Sequence, residues 1–257
     1  MRRFMIIALL STVMLITIAC QKQEKIAQLK QLQLAEIAVP SGTMADQLVL
    51  TKLPNAKIKY FNNVMDACLA VKTGKVAAAA YDEPILKNIA AKTPGLKVLD
   101  ELITHDDYGF AVNFDDTDLK TTIDLVVDSL KNSGKYDEMY QRWFPKQGNP
   151  AKMPVFANNG TAGELLYGTA AVTEPFSFYD GNKQIVGFDI ELAYYVAQKL
   201  NKKLVITNMD FGALINSLTA KKVDMIGACL TISEERAKKV LFSNPYYSGG
   251  IAAIVKE

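Results

Sequence analysis

The sequence contains few of the residues that bind transition metals or build disulfide frameworks. Among its 257 residues are one histidine, His105, and three cysteines. A Cys/His zinc site and a disulfide framework each need more ligands at set spacings, so the composition excludes both. Any metal would have to be bound by carboxylates, and the sequence predicts no metal and no cofactor.

An excess of charge of either sign is also missing. Lys and Arg total 29 against 27 Asp and Glu, which leaves a formal net charge of +2. Proteins that neutralise nucleic-acid phosphates carry a strong positive excess, so a nucleic-acid partner is disfavoured. With 49% hydrophobic and 22% charged residues, the composition is that of a globular protein with one large domain or two small ones.

Long apolar runs are absent except at the N-terminus. There two arginines precede an apolar run, Phe4 to Ile18, which is followed by Ala19 and Cys20. This pattern predicts a secretory signal, and a Cys directly after a small residue resembles a bacterial lipobox. Residues 1–19 are therefore predicted to be a lipoprotein signal peptide, and residues 20–33 a tether, diacylated at its first residue, and a first helix. The alternative is an uncleaved membrane anchor. Both place the rest of the chain in the periplasm or on the extracytoplasmic face of the membrane.

The remaining sequence alternates strand and helix patterns. A buried strand at Glu36–Pro40 is followed by a turn of Ser41, Gly42 and Thr43 and then by a helical run, which is the beginning of a βαβ unit. A second half repeats this order, with a helix predicted at Phe188–Leu200 and Asp189 as its possible N-cap. Further strands are predicted at 57–60, 76–81, 168–171, 204–207 and 224–227, and further helices at 63–72 and 213–218. The sequence therefore predicts an α/β fold with two similar lobes.

Two further segments have clear patterns. Asp118–Trp143 is amphipathic with a break near Gly134, which predicts a helix, a turn and a second helix. Residues 145–163 are rich in Pro, Gly and Asn without periodicity, which predicts a loop or linker. Cys68 lies on the apolar face of a predicted helix, so we expect a small buried side chain there rather than a disulfide with Cys229.

Several separate motifs then resemble one protein family. PFSF, GFDIELA, LTISEERAKKV and FSNPYY resemble the first lobe of bacterial extracellular solute-binding proteins of family 3, the receptors of ABC importers for polar amino acids. PSGT and AAAAYDEP resemble the second lobe, and GKYDEMYQRWF resembles the closing helices. The resemblance implies a monomer with two Rossmann-like lobes and a ligand cleft between them, the periplasmic binding protein type 2 fold. It also implies a non-enzymatic role.

The order of these motifs is inverted relative to the family, so the chain resembles a circularly permuted member. Residues 34–107 are predicted to form the family's second lobe, here called the N-terminal lobe. Residues 108–257 are predicted to form the family's first lobe, here called the C-terminal lobe, with 145–163 as the permutation linker. The break is expected in one of the two connections between the lobes, leaving only the crossing near 104–112 covalent. A truncated fragment of a tandem protein is the alternative.

The resemblance also implies a site for an α-amino acid. Arg236 would bind the α-carboxylate in a bidentate manner, helped by the backbone of Thr231 and by the turn with Thr43 and Met44. Three further members would complete the site: Asp82 and the carbonyl of Cys229 for the ammonium group, and Phe211 as an aromatic wall, with Tyr81 flanking them. Three alternatives stay open: Arg236 as a surface charge, Asp82 as a turn residue and Phe211 as core.

Two departures from the family bear on the ligand. Ala170 and Thr173 stand where receptors for glutamine and basic amino acids have an Asp and an aromatic residue, and Cys229 replaces a Gly. The sequence therefore favours a neutral polar or small amino acid over a basic one, with glutamine still possible. The predicted function is an extracytoplasmic receptor that delivers this amino acid to an ABC permease. The alternatives are a ligand-sensing domain for a separate signalling partner and a cyclohexadienyl-dehydratase-like enzyme using Glu174 or Glu83 as general acid.

Overall fold

A computed structural model describes residues 25–145 and 152–257. The predicted signal peptide, Cys20 and the first part of the predicted linker lie outside these residues. After a 3₁₀ turn at Leu29–Leu32, the described chain forms two five-stranded sheets, each covered by helices. Within the described residues, no helix combines the length and the apolar character needed to cross a membrane.

The first sheet belongs to the N-terminal lobe. Its central strands are runs of small and branched apolar residues that are buried on both faces, as expected for a sheet covered by helices. The first three strands pair in parallel and the C-terminal strand joins them antiparallel. In spatial order the strands are β2 (Lys57–Phe61), β1 (Glu36–Pro40), β3 (Ala78–Asp82), β15 (Ile251–Lys256) and β4 (Leu96–Val98). Three helices follow the first three strands: α1 (Ala45–Lys52), α2 (Val64–Lys72) and α3 (Glu83–Lys92).

The second sheet belongs to the C-terminal lobe and mixes parallel and antiparallel pairs. Its longest pairing joins β7 (Glu164–Thr169) and β11 (Lys203–Asn208) in parallel over six residue pairs. In spatial order the strands are β11 (Lys203–Asn208), β7 (Glu164–Thr169), β12 (Met225–Ile226), β6 (Ala111–Val112) and β13 (Leu241–Phe242). A smaller sheet contains β8 (Val172–Thr173), β9 (Ser177–Tyr179) and β10 (Ile185–Val186).

Helices complete the C-terminal lobe. The predicted helix, turn and helix are confirmed as α4 (Thr117–Asn132) and α5 (Lys135–Trp143), and Gly134 begins α5 with a positive φ of 75°. The predicted apolar face of α4 is buried. The other helices are α6 (Phe188–Lys199), α7 (Leu214–Thr219) and α8 (Glu234–Ala237). Trp143 is buried and donates its indole N–H to Glu191 at 2.6 Å.

The chain crosses between the lobes twice, whereas the sequence predicted one covalent crossing. The first crossing contains β5 (Asp106–Tyr108), the second contains β14 (Tyr247–Gly249), and the two pair antiparallel. β15 then continues into the N-terminal sheet, so both crossings are covalent and the prediction of a single one is wrong. The predicted C-terminal lobe, 108–257, likewise loses its last strand to the other sheet. The physical reason is burial: the apolar run of β15 is accommodated between β3, the central strand of that sheet, and the edge strand β4.

The second half of the predicted linker packs on the C-terminal lobe. Residues 152–163 contain no helix or strand. The ring of Phe156 stacks on Tyr194, with centroids 4.9 Å apart and planes inclined by 10°. The side-chain amide of Asn158 accepts from the Leu204 N–H at 2.7 Å and donates to the Leu204 carbonyl at 2.9 Å. This segment therefore covers part of β11, the edge strand of the second sheet.

Candidate ligand cleft between the lobes

A small cavity lies where the two lobes face each other. Eight of the ten residues predicted to bind the ligand line it, four from each lobe. From the N-terminal lobe they are Thr43, Met44, Tyr81 and Asp82, and from the C-terminal lobe Phe211, Cys229, Thr231 and Arg236. Ala45, Leu48 and Ile251 complete the lining. We call this cavity the cleft.

Strand ends position these side chains. Thr43 follows β1, and its hydroxyl donates to the Pro40 carbonyl at 2.9 Å. Tyr81 and Asp82 end β3, while Cys229 and Thr231 follow β12. Ligand sites of α/β folds form outside the carboxyl ends of parallel strands, and both sheets present such ends to the cleft.

Arg236 provides the positive charge of the cleft. Arg236 belongs to the short helix α8, and 8% of the residue is exposed. Its Nη1 donates to the Thr231 carbonyl at 3.0 Å. The guanidinium carbon lies 5.5 Å from the centre of the Phe211 ring, within cation–π range. No carboxylate of the described residues forms an ion pair with it. Burial lowers the pKa of Arg236, and the charge of Asp82 acts in the opposite direction.

Asp82 faces Arg236 from the N-terminal lobe and provides the negative charge. It is 5% exposed, and the Tyr108 hydroxyl donates to its Oδ1 at 2.5 Å. The Cys229 sulfur lies 3.9 Å from Oδ2. Burial raises the pKa of Asp82 to about 6, although the Tyr108 hydrogen bond and the charge of Arg236 both lower it. A carboxylate held this way is poised to gain from a cationic ligand group.

Cys229 joins the cleft to the interior of the C-terminal lobe. Its φ of 48° is unusual for a residue with a side chain. Its N–H donates to Asp189 Oδ2 at 2.9 Å, while its thiol contacts Asp82 of the other lobe. Both Cys229 and Cys68 are free and buried, as the sequence predicted for Cys68.

The sequence suggested Asp189 as the N-cap of α6, and this prediction is wrong. Gly187 is the N-cap, and the Asp189 side chain lies inside the lobe with 0% exposure. The sequence missed this role, although an acidic residue among the buried positions of α6 is the signal that could have indicated it. Its Oδ1 and the Tyr246 hydroxyl are the two buried side-chain polar atoms without a hydrogen bond among the described residues.

Other candidate residues lie outside the lining of the cleft. Ala170 follows β7 and Thr173 ends β8. Both are buried, and the Thr173 hydroxyl donates to the Ala170 carbonyl at 3.1 Å. Glu83 and Glu174, considered as general acids, form ion pairs with Lys87 and Lys92, respectively. His105 is exposed and does not line the cleft. Ala170 and Thr173 therefore do not line the cleft in this conformation.

The lobes are closed on each other. The cavity has room for about one water molecule, far less than an amino acid needs. At its edge the turn with Gly42, φ 76°, approaches Gly212 of the other lobe so closely that a Cβ on Gly42 would lie 3.2 Å from the Gly212 Cα. The cleft thus combines a buried cation, a buried carboxylate and an aromatic ring in a closed cavity.

Part of the chain is similar to known proteins. The model of the family described as bacterial extracellular solute-binding proteins, family 3, matches residues 165–257. The arginine-binding extracellular protein ArtP of Bacillus subtilis (strain 168) is 38% identical over 37% of this chain and 36% of its own length. The L-cystine-binding protein TcyJ of Escherichia coli (strain K12) is 36% identical over 37% of this chain and 36% of its own length.

A solved structure extends the comparison. The arginine-bound form of domain 1 from TmArgBP, a T. maritima protein, is 44% identical over 37% of this chain and 81% of its own chain, with a TM-score of 0.33. The chain spans little more than a third of the length of the curated relatives named above. Through residues 165–257, which include Phe211, Cys229, Thr231 and Arg236, the chain belongs to the bacterial extracellular solute-binding proteins of family 3.

Proposed function

We propose that this protein is an extracytoplasmic receptor that binds one amino acid in the cleft and delivers it to the permease of an ABC importer. The observation that carries the proposal is that Arg236 and Asp82 both line the cleft, one charge from each lobe. Among the described residues they form no direct ion pair with each other. An α-amino acid carries the two complementary charges on one carbon. It can therefore satisfy both buried groups at once.

The α-carboxylate is assigned to Arg236. Nη1 is the guanidinium atom that forms a hydrogen bond within the described chain, to the Thr231 carbonyl. The planar fork keeps further N–H donors for a bidentate carboxylate. The ammonium group is assigned to Asp82, whose carboxylate accepts a hydrogen bond from the Tyr108 hydroxyl and lies 3.9 Å from the weakly polar Cys229 thiol. Phe211 lies beside the guanidinium, where it would line the ligand's side chain.

Ligand entry requires the lobes to separate, because the closed cleft has no room for an amino acid. Groups from both lobes then make contacts with the same ligand only when the lobes close again. The ligand would favour the closed form by its differential affinity, and a permease would distinguish that form from the open one.

The side chain of the ligand is the finer part of the proposal. Relatives are named for arginine, cystine and glutamine. Ala170 and Thr173 cannot supply the negative charge that a basic side chain needs, so we favour a neutral polar or small amino acid. An arginine ligand would have to find its acidic partner elsewhere in the opened cleft.

Three further parts of the proposal rest on the sequence. We propose that the chain is anchored by a lipid on Cys20, that it acts as a monomer on the extracytoplasmic side of the membrane, and that its two halves are circularly permuted relative to the family. The position of β15 in the N-terminal sheet supports a permutation within that lobe, beyond the second crossing. Mass spectrometry of the N-terminal peptide would test the lipid.

The experiment is a thermal-shift screen against all common amino acids, followed by calorimetry on each that shifts the unfolding temperature. A ligand at about a hundred times its dissociation constant adds roughly 2.7 kcal/mol of stability. Arg236→Lys should abolish the shift because it removes the bidentate contact. Arg142→Lys is the matched control, since Arg142 pairs with Glu191 on the C-terminal lobe, outside the cleft lining. Absence of any shift in a folded, ligand-free sample would contradict the proposal.

A further inference from the structure

Asp189 is a buried acid that contacts a residue of the cleft lining. It lies in the first turn of α6, in the motif GFDIELA, and does not line the cleft. Its Oδ2 nevertheless accepts the N–H of Cys229, the residue that lines the cleft with a left-handed backbone. The thiol of Cys229 in turn contacts Asp82 across the lobe boundary.

These contacts form a line of three residues from the interior of one lobe to the other. Asp189, inside the C-terminal lobe, accepts a hydrogen bond from the backbone N–H of Cys229. The Cys229 sulfur lies 3.9 Å from the carboxylate of Asp82 in the other lobe. A residue other than Gly adopts a positive φ only when its surroundings favour that conformation over the extended one. The Asp189 hydrogen bond is a contact that does so at this position.

We propose that Asp189 is a positioning residue of the cleft: its ionised carboxylate holds the backbone of Cys229 in the left-handed conformation that presents residues 229–231 to the amino acid. This inference rests on the proposed function, because it names a determinant of affinity in the same site. It assigns a role to a residue outside the ligand's reach.

The surroundings of Asp189 make its charge sensitive to pH. The titratable groups that face it within the described residues are the thiol of Cys229 and the hydroxyls of Tyr136, Tyr167 and Tyr246. Burial raises the pKa of each of these four groups, so all stay neutral at physiological pH, and none is a cation. Burial likewise raises the pKa of Asp189 to about 7, while the Cys229 N–H lowers it.

Ligand affinity should therefore fall as pH falls through about 7. Protonation replaces a charge-assisted hydrogen bond to the Cys229 N–H with a weaker neutral one. Protonation also removes a negative charge next to Cys229, near the proposed site of the ammonium group. Asp82 adds its own pH dependence nearer 6, so the test must separate the two acids.

The first experiment needs no ligand. Selective ¹⁵N-cysteine labelling gives separate backbone amide signals for Cys68 and Cys229. We expect the Cys229 amide signal to move with a midpoint near pH 7, the Cys68 signal to stay constant, and Asp189→Asn to abolish the movement near pH 7 at Cys229 and to leave only the part near pH 6 that Asp82 causes. A Cys229 signal that does not titrate, or that titrates equally in Asp189→Asn, would overturn the proposal.

The second experiment measures binding of L-arginine and L-glutamine by calorimetry at pH 6 and pH 8. We expect wild-type affinity to fall roughly tenfold on acidification, which corresponds to about 1.4 kcal/mol, and to fall clearly less in Asp189→Asn. Glu191→Gln is the matched control, because Glu191 is a buried acid of the same helix that pairs with Arg142 and Trp143 instead. It should keep the wild-type ratio.

The two experiments distinguish the two ways of failing. An Asp189→Asn variant with the full wild-type ratio would overturn the positioning role even if the receptor function stands. If no amino acid binds wild type, the proposed function falls, and the amide titration alone then decides whether Asp189 controls Cys229.

Discussion

Lys92 and Glu174 connect the two lobes through an ion pair, with Nζ and Oε1 2.5 Å apart. Lys92 ends α3 of the N-terminal lobe, and Glu174 lies between β8 and β9 of the C-terminal lobe. Neither residue lines the cleft, so their contact joins the lobes at a place where a ligand in the cleft would not touch it. It is therefore a contact that favours the closed form.

Removing this ion pair should shift the ligand-free protein towards an open form. Both side chains are partly exposed, at 45% and 26%, so we expect Glu174→Gln to cost only about 0–1 kcal/mol. Small-angle scattering should give a larger radius of gyration for the ligand-free variant than for wild type. Asp115→Asn is the control, because Asp115 pairs with Lys221 within one lobe. Equal radii for both variants would count against the assignment.

Gly250 should be essential for the path of the second crossing. A Cβ at this position would lie 2.0 Å from the Thr104 carbonyl oxygen on the first crossing. Gly250→Ala must therefore push the two crossings apart, and overpacking of this kind costs about 1–3 kcal/mol. Gly181→Ala is the control, because its Cβ would meet no atom within 4 Å. Chemical denaturation should show a loss of stability only for Gly250→Ala.

Asn158 should stabilise the edge of the second sheet. Its amide satisfies both the N–H and the carbonyl of Leu204 on β11. Asn158→Ala leaves two backbone groups of an edge strand without protein partners, which we expect to cost about 1–2 kcal/mol. Asn182→Ala, in an exposed turn, should be neutral. Urea unfolding compares the two variants, and equal midpoints would show that water replaces the Asn158 contacts without loss.

The stability of the protein should depend on pH through Asp189. Its pKa of about 7 lies above the value near 4 of an unfolded Asp. Between about pH 4 and 7 the native state therefore binds more protons than the unfolded state, and this group makes stability fall as pH rises through that window. Asp189→Asn removes the effect, so its unfolding temperature relative to wild type should rise from pH 5 to pH 8. A difference that is constant with pH would contradict this prediction.

This dependence runs opposite to the one proposed for binding. Ionised Asp189 costs stability because it is fully buried, yet the same charge strengthens its hydrogen bond to Cys229. A protein that keeps such a group loses some stability to position its site, a trade seen at many functional sites.

Much of the architecture could be predicted from local patterns. The helix over 117–132 follows from the spacing of Ile123, Val126, Val127 and Leu130, and β1 and β3 follow from short apolar runs. The residues that line the cleft were predicted from motifs. Arg236 and Asp82 both line it, although they lie 154 positions apart in the sequence (236 − 82).

Other features could not be predicted because they depend on distant partners. Asp189 has the sequence position of an N-cap, but its role is set by the Cys229 N–H, which approaches from another element. The second crossing was missed because an apolar strand such as β15 could pair in either sheet, and only the space between β3 and β4 decides which.

The sequence by itself determined the strand and helix pattern, the balanced charge and the residues that line the cleft, because these follow from spacing along the chain and from motifs. The tertiary structure alone decided where β15 pairs, how the lobes are joined and that Asp189 reaches the cleft through Cys229. The physical reason is that strand pairing and the satisfaction of buried polar groups are settled by contacts between distant residues.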